Sequence, residues 1–162
     1  MFKVNDTIMY GTQGVCEIVE ITQKDFMGAK KDYYVLKPMN DKAATLFAPV
    51  SVKAGNKMRK ILTAEEVLEL VAYIPNAEAN WIPSDNMRKE TYKKIIAGGN
   101  HVELIQIVKA LHLQRKKREA AGKHLYLCDE RFLKEAERIL CDEFQFVLHK
   151  TREEVLSMLT FS

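Results

Sequence analysis

The spacing of apolar residues changes once along this chain, near Thr63. Ahead of it, β-branched and aromatic runs are separated by turn residues and show no helical period, which predicts strands. They are expected at residues 7–10, 14–24, 32–37 and 45–49, with a short one near 58–61. Between them lie Gly11-Thr12-Gln13-Gly14, Met27-Gly28-Ala29, Pro38-Met39-Asn40-Asp41 and Gly55-Asn56. Each supplies the positive or fixed φ that a turn requires. Strands this short and few cannot make a deep sandwich; they suit a small, strongly bent barrel whose open edges can pair with another chain.

From Thr63 onward the period is helical. Thr63-Ala64-Glu65-Glu66 reads as a capping box, in which Thr63 and Glu66 each satisfy an N–H of the first turn. Val67, Leu68, Val71 and Ile74 then share one side of a helix that Pro75 ends. Residues 76–83 are a polar connection containing Trp81. Ser84 is the expected N-cap of a helix to Ala97, which Gly98-Gly99 stops. The next helix, residues 101–120, puts Leu104, Ile105, Ile107, Val108 and Leu111 inward, and its basic stretch at 114–119 is expected to stand in solvent. Asp129 is the expected cap of a helix running to about Leu148. Thr151-Arg152-Glu153-Glu154 opens a last short helix with a second capping box. The expected fold class is therefore α+β, with a small β-barrel over residues 1–62 followed by an all-α domain of about five helices over 63–162.

Charge changes the picture because it is local. The net +3 of the 162 residues hides a stretch, residues 81–123, with ten lysines and arginines against four acidic residues. A basic region of this kind is what phosphate backbones attract. Chemistry is otherwise sparse. Cys16, Cys128 and Cys141 are too few and scattered for a disulfide framework and form no CxxC pair, so they read as small buried apolar groups. His101, His112, His124 and His149 lack metal-site spacing, and there is no P-loop, GxGxxG, HExxH or GxSxG. The expectation is a protein without catalytic residues, cofactor or metal. No run approaches a membrane span and the N-terminus lacks secretory anatomy, which predicts a cytoplasmic protein.

Two segments carry a resemblance. Phe2-Lys3-Val4-Asn5-Asp6-Thr7-Ile8-Met9-Tyr10, Gly14-Val15, Gly28, Tyr33-Tyr34-Val35-Leu36-Lys37, Ala48-Pro49 and Arg59 resemble the RNA-polymerase-interacting domain of the CarD and CdnL transcription regulators, also present in transcription-repair coupling factors. Trp81, Arg88, Tyr92-Lys93-Lys94, Gly98-Gly99, the basic helix and Ala136-Glu137-Arg138-Ile139-Leu140 resemble the second half of the same family. The resemblance implies a Tudor-like β domain that docks on the β-subunit lobe of bacterial RNA polymerase by edge-strand pairing. It implies also a helical domain at the upstream edge of the melted −10 region of promoter DNA, where a tryptophan wedges into the minor groove and stabilises the open complex.

Carried over by position, Trp81 matches the wedge, and Arg88, Lys89, Lys93 and Lys94 fall in the basic helix. In some relatives the arginine follows the tryptophan more closely than Arg88 follows Trp81. Arg115, Lys116, Lys117 and Arg118 suit either DNA contact or a solvated helix end. On the polymerase side the matching positions are Lys24, Phe26 and Phe47; Phe47 stands where the family has a basic residue, and Phe26 and Phe47 equally suit barrel core. The alternative function is a general nucleic-acid-binding or adaptor protein acting without polymerase. A monomer is expected, with an edge-strand or domain-swapped dimer as the alternative.

Overall fold

The computed structural model describes residues 2–26, 28–51 and 57–159. Met27 of the first predicted hairpin turn and the Gly55-Asn56 turn lie outside the described residues. The chain divides into two compact units, residues 1–61 and 62–162.

The first unit is one antiparallel sheet of five strands: β1 (Thr7–Tyr10), β2 (Val15–Phe26), β3 (Ala29–Pro38), β4 (Leu46–Pro49) and β5 (Met58–Lys60), in the order β4-β3-β2-β1-β5. Alternation along the strands turns Ile8, Cys16, Ile18, Tyr34, Leu36 and Ala48 onto one buried face. A register shift between Ile18 and Glu20 bends the long β2. β2 and β3 run beyond the predicted stretches, pairing as far as Phe26 with Ala29. Their outer residues, among them Gln23, Asp25, Lys30 and Lys31, are exposed and polar, so backbone pairing rather than apolar pattern extends the hairpin. Gly28 closes it at φ +81°, a left-handed backbone that favours glycine.

The second unit is helical: α1 (Ala64–Tyr73), α2 (Asp85–Gly98), α3 (His101–Ala120), α4 (Leu127–Leu148) and α5 (Arg152–Met158), with a 3-10 turn at Ile74–Asn76 around Pro75. Both capping boxes are present, Thr63 with Glu66 and Thr151 with Glu154. Ser84 caps α2, and Gly99 ends it at φ +67°. Val67, Tyr92, Leu104, Val108, Leu111, Leu133, Leu140, Phe144 and Val155 build one core from all five helices.

One detail adds to the sequence pattern and one differs from it. α3 is capped by Asn100, whose side chain accepts from the Glu103 N–H. α4 begins at Leu127 after Tyr126, which makes no side-chain cap bond; Asp129 lies inside the first turn and is buried. The cap assigned to Asp129 is therefore corrected, because its carboxylate is engaged elsewhere, as described below.

The start of the helical unit is fastened by Glu143, a fully buried carboxylate on α4. It accepts from the Leu62 N–H at 2.9 Å and pairs with His101 Nε2 at 2.7 Å. Replacing Glu143 by Ala removes the acceptor shared by these two segments. The expected loss is about 2–4 kcal/mol in denaturant unfolding, against about 1 kcal/mol for Glu66→Ala in the exposed capping box. Equal costs for the two would mean that Glu143 does not fasten the entry segment.

Candidate functional site

Trp81 lies in the connection that leads into α2, half-buried and packed against the helical core. Its ring is covered on one side by Arg88, whose Cζ stands 4.4 Å from the ring centroid. Arg88 is only 2% exposed. It does not hold a free charge at the surface. Its Nε donates to Asp129 Oδ1 at 2.9 Å, its Nη2 to Asp129 Oδ2 at 3.0 Å and to Asp85 Oδ1 at 2.8 Å, and its Nη1 to the Ile82 carbonyl at 3.0 Å. Burial opposes the guanidinium charge, but the bonds to Asp129 and Asp85 outweigh it and raise the pKa further. Asp129, 1% exposed, is the buried counter-charge that the helix start of α4 supplies. The fork-to-fork pairing fixes the guanidinium plane, and with it the surface on which the indole rests.

Tyr92, near enough to Arg88 and Asp129 to feel both charges, is buried and edge-on to Phe132. Its hydroxyl finds no hydrogen-bond partner among the described residues, and burial pushes its pKa up to about 12. Lys89, Lys93 and Lys94 stand exposed on α2.

The basic end of α3 is only partly solvated. Lys116, Lys117 and Glu119 are exposed as expected. Arg115 and Arg118 depart from that expectation because each meets α4 or its approach: Arg115 Nη2 reaches both Glu130 carboxylate oxygens at 3.0 Å. Arg118 donates to the His124 carbonyl and stacks on Tyr126, with its Cζ 4.4 Å from that ring centroid. Lys109, also counted in the basic stretch, donates to the Pro75 and Ala77 carbonyls. The outward charge therefore comes from Lys89, Lys93, Lys94, Lys116, Lys117 and Lys123.

In the sheet unit, Phe26 and Phe47 are 44% and 38% exposed, so they are not barrel core. Phe47 pairs in register with Val35, on the side of β3 opposite Tyr34 and Leu36. Phe26 lies edge-on to Phe47 at 5.7 Å and to Tyr33 at 5.0 Å between centroids, forming an outward aromatic cluster. Lys24, also exposed, pairs across the hairpin with Lys31.

Among the described residues no group of three His, Cys, Asp or Glu side chains is placed to hold a metal, and no helix is long and apolar enough to cross a membrane. Cys16 and Cys141 are buried, and burial pushes both thiols up to about 11, so they act as packing rather than as nucleophiles.

Asp129→Ala leaves a buried guanidinium with its main counter-charge gone, and an expected loss of about 3–5 kcal/mol follows in denaturant unfolding. Asp85→Ala, at an exposed carboxylate, costs under about 1 kcal/mol. Tyr92→Phe removes an unbonded hydroxyl and leaves stability within about 0.5 kcal/mol or raises it.

The family model of the CarD-like/TRCF RID domain matches residues 2–62, and that of the CarD C-terminal domain matches residues 66–160. A relative from Bacillus subtilis (strain 168), named "Putative transcription factor YdeB", is 24% identical over 157 residues, which cover 97% of this chain and 99% of the relative. With both of its units matched in order by the two CarD domain models, the chain belongs to the CarD family of transcription-associated factors, whose domains interact with RNA polymerase.

Proposed function

We propose that this protein docks on the β-subunit lobe of RNA polymerase through its sheet unit and stabilises the promoter open complex with its helical unit. The observation that carries the reading is the sole tryptophan held on a buried, doubly paired arginine and followed by a helix with exposed lysines. A protein that does no covalent chemistry acts by binding one DNA state better than another. Trp81 is the group suited to such discrimination. At the upstream edge of the melted −10 region an indole enters the minor groove where stacking is already broken, whereas closed duplex must first be unstacked at a cost of a few kcal/mol.

Arg88 then acts by positioning Trp81 rather than by touching phosphate. Lys89, Lys93 and Lys94, with Lys116 and Lys117 on α3, supply phosphate attraction without reading sequence; Arg115 and Arg118 hold the end of α3 against the start of α4. On the polymerase side, Lys24 keeps a cation while Phe26 and Phe47 offer apolar area, so partner contact in this chain rests more on aromatic burial than on paired charges. The residue ranges 1–62 and 63–162 serve in this reading as the polymerase-binding and DNA-contacting domains of a cytoplasmic regulator.

The test is the lifetime of the open complex with host-matched polymerase. The protein is expected to lengthen it, and Trp81→Ala to shorten it about tenfold, equivalent to about 1.4 kcal/mol, with polymerase binding intact. No change in lifetime with either protein, combined with tight, steeply salt-dependent binding to bare duplex, would replace this reading with general nucleic-acid binding. Phe26→Ala with Phe47→Ala is expected to weaken polymerase association at least tenfold, or about 1.4 kcal/mol, without altering the melting of the helical unit. Unimpaired association in a pull-down titration would remove the aromatic cluster from the interface.

A further inference from the structure

A second aromatic ring in the helical unit is also backed by an arginine. Tyr126 precedes α4 and is 54% exposed, with Leu127 beside it in sequence at 68%. Arg118 covers one face of the Tyr126 ring at 4.4 Å. The guanidinium is itself tied to the His124 carbonyl, and the Arg118 carbonyl accepts from the Lys123 N–H, so the turn between α3 and α4 holds ring and cation in one arrangement. Lys116, Lys117 and Lys123 stand exposed along the same turn and the helix end before it, where Glu119 is the acidic side chain. Tyr126 and Asp129 bracket the first turn of α4, and Asp129 holds the arginine under Trp81. Thus the two cation-backed rings are anchored on one helical turn.

We propose that Tyr126 is a second stacking site, which takes an unpaired base of the melted strand on the face that Arg118 leaves open. This deepens the open-complex reading and rests on it for the source of the strand, though not for the chemistry. An aromatic ring with a fixed cation behind it, in a segment that also carries the exposed Lys116, Lys117 and Lys123, matches a nucleobase joined to phosphates: the base supplies a π-face and the backbone supplies the anions. A protein partner would match the apolar ring and Leu127 but not the lysines of that segment.

The experiment titrates the full chain, without polymerase, against a forked oligonucleotide carrying unpaired thymines and against blunt duplex of the same length. Affinity is read by mobility shift and base access by permanganate oxidation of the thymines. The native protein is expected to prefer the fork and to protect the first unpaired thymine. Tyr126→Ala should lose that protection and about tenfold of fork affinity while keeping duplex affinity, and Tyr126→Phe should retain both, because stacking needs the ring and not the hydroxyl. The variant's exposed position leaves folding intact, which a melting curve checks. Equal fork affinity and protection in Tyr126→Ala overturns the proposal, and if the same variant loses polymerase association the ring belongs to a protein surface instead. Since polymerase is absent from the fork assay, its failure is distinct from an unchanged open-complex lifetime on Trp81→Ala, which would sink the wedge reading alone.

Discussion

The arrangement around Trp81 in the helical unit depends on one buried ion pair. Arg88 and Asp129 are both nearly inaccessible, and each would be costly to bury without the other. Their two parallel bonds join α2 to α4, and the remaining guanidinium donors go to Asp85 and to the Ile82 carbonyl just ahead of α2. The arginine therefore joins the connection containing Trp81, the helix after it and a helix more than forty positions away. A purely apolar contact could hold the same elements together at comparable stability, but it would not orient a plane. Orientation matters here because an indole resting on a fixed guanidinium has only a limited set of poses.

The sheet unit meets a different constraint with similar economy. Its core face is small, six fully or nearly fully buried side chains, and the bulge in β2 bends the sheet around them. The opposite side of the β2-β3-β4 region carries Phe26, Tyr33 and Phe47, with Phe26 edge-on to both of the others. Exposed rings that pack on each other expose less apolar area than isolated ones and lose little side-chain freedom when a partner covers them. Such a cluster is suited to burial against another surface while it keeps the unit well ordered alone.

Much of this was readable from local signals. The starts of β1 and β5, the helix limits at His101 and Ala120, the Ser84 cap and both capping boxes follow from residues within a few positions of one another. What escaped is long-range. Asp129 stands three residues ahead of an apolar period, as a cap would, yet its partner is 41 positions away and no local rule connects them. Arg115 and Arg118 looked solvated because Glu130, the His124 carbonyl and Tyr126 come near only when α3 and α4 pack. Arg88 likewise has the sequence signature of surface charge, since its main partner comes from another helix. Phe26 was open between core and surface because a hairpin tip loses the alternation that assigns faces, and Phe47 because its strand of four residues is too short to show one.

One consequence of the stacking at Trp81 is optical. The chain has a single tryptophan, and a fixed positive charge sits against one face of its ring. An indole's emission wavelength and yield depend on the field and solvent around it, so the protein carries an unlabelled gauge of whether that ring is on its guanidinium or has left it. Every other aromatic chromophore of the chain is a tyrosine or phenylalanine, and emission excited at the red edge of the indole band reports this one ring alone.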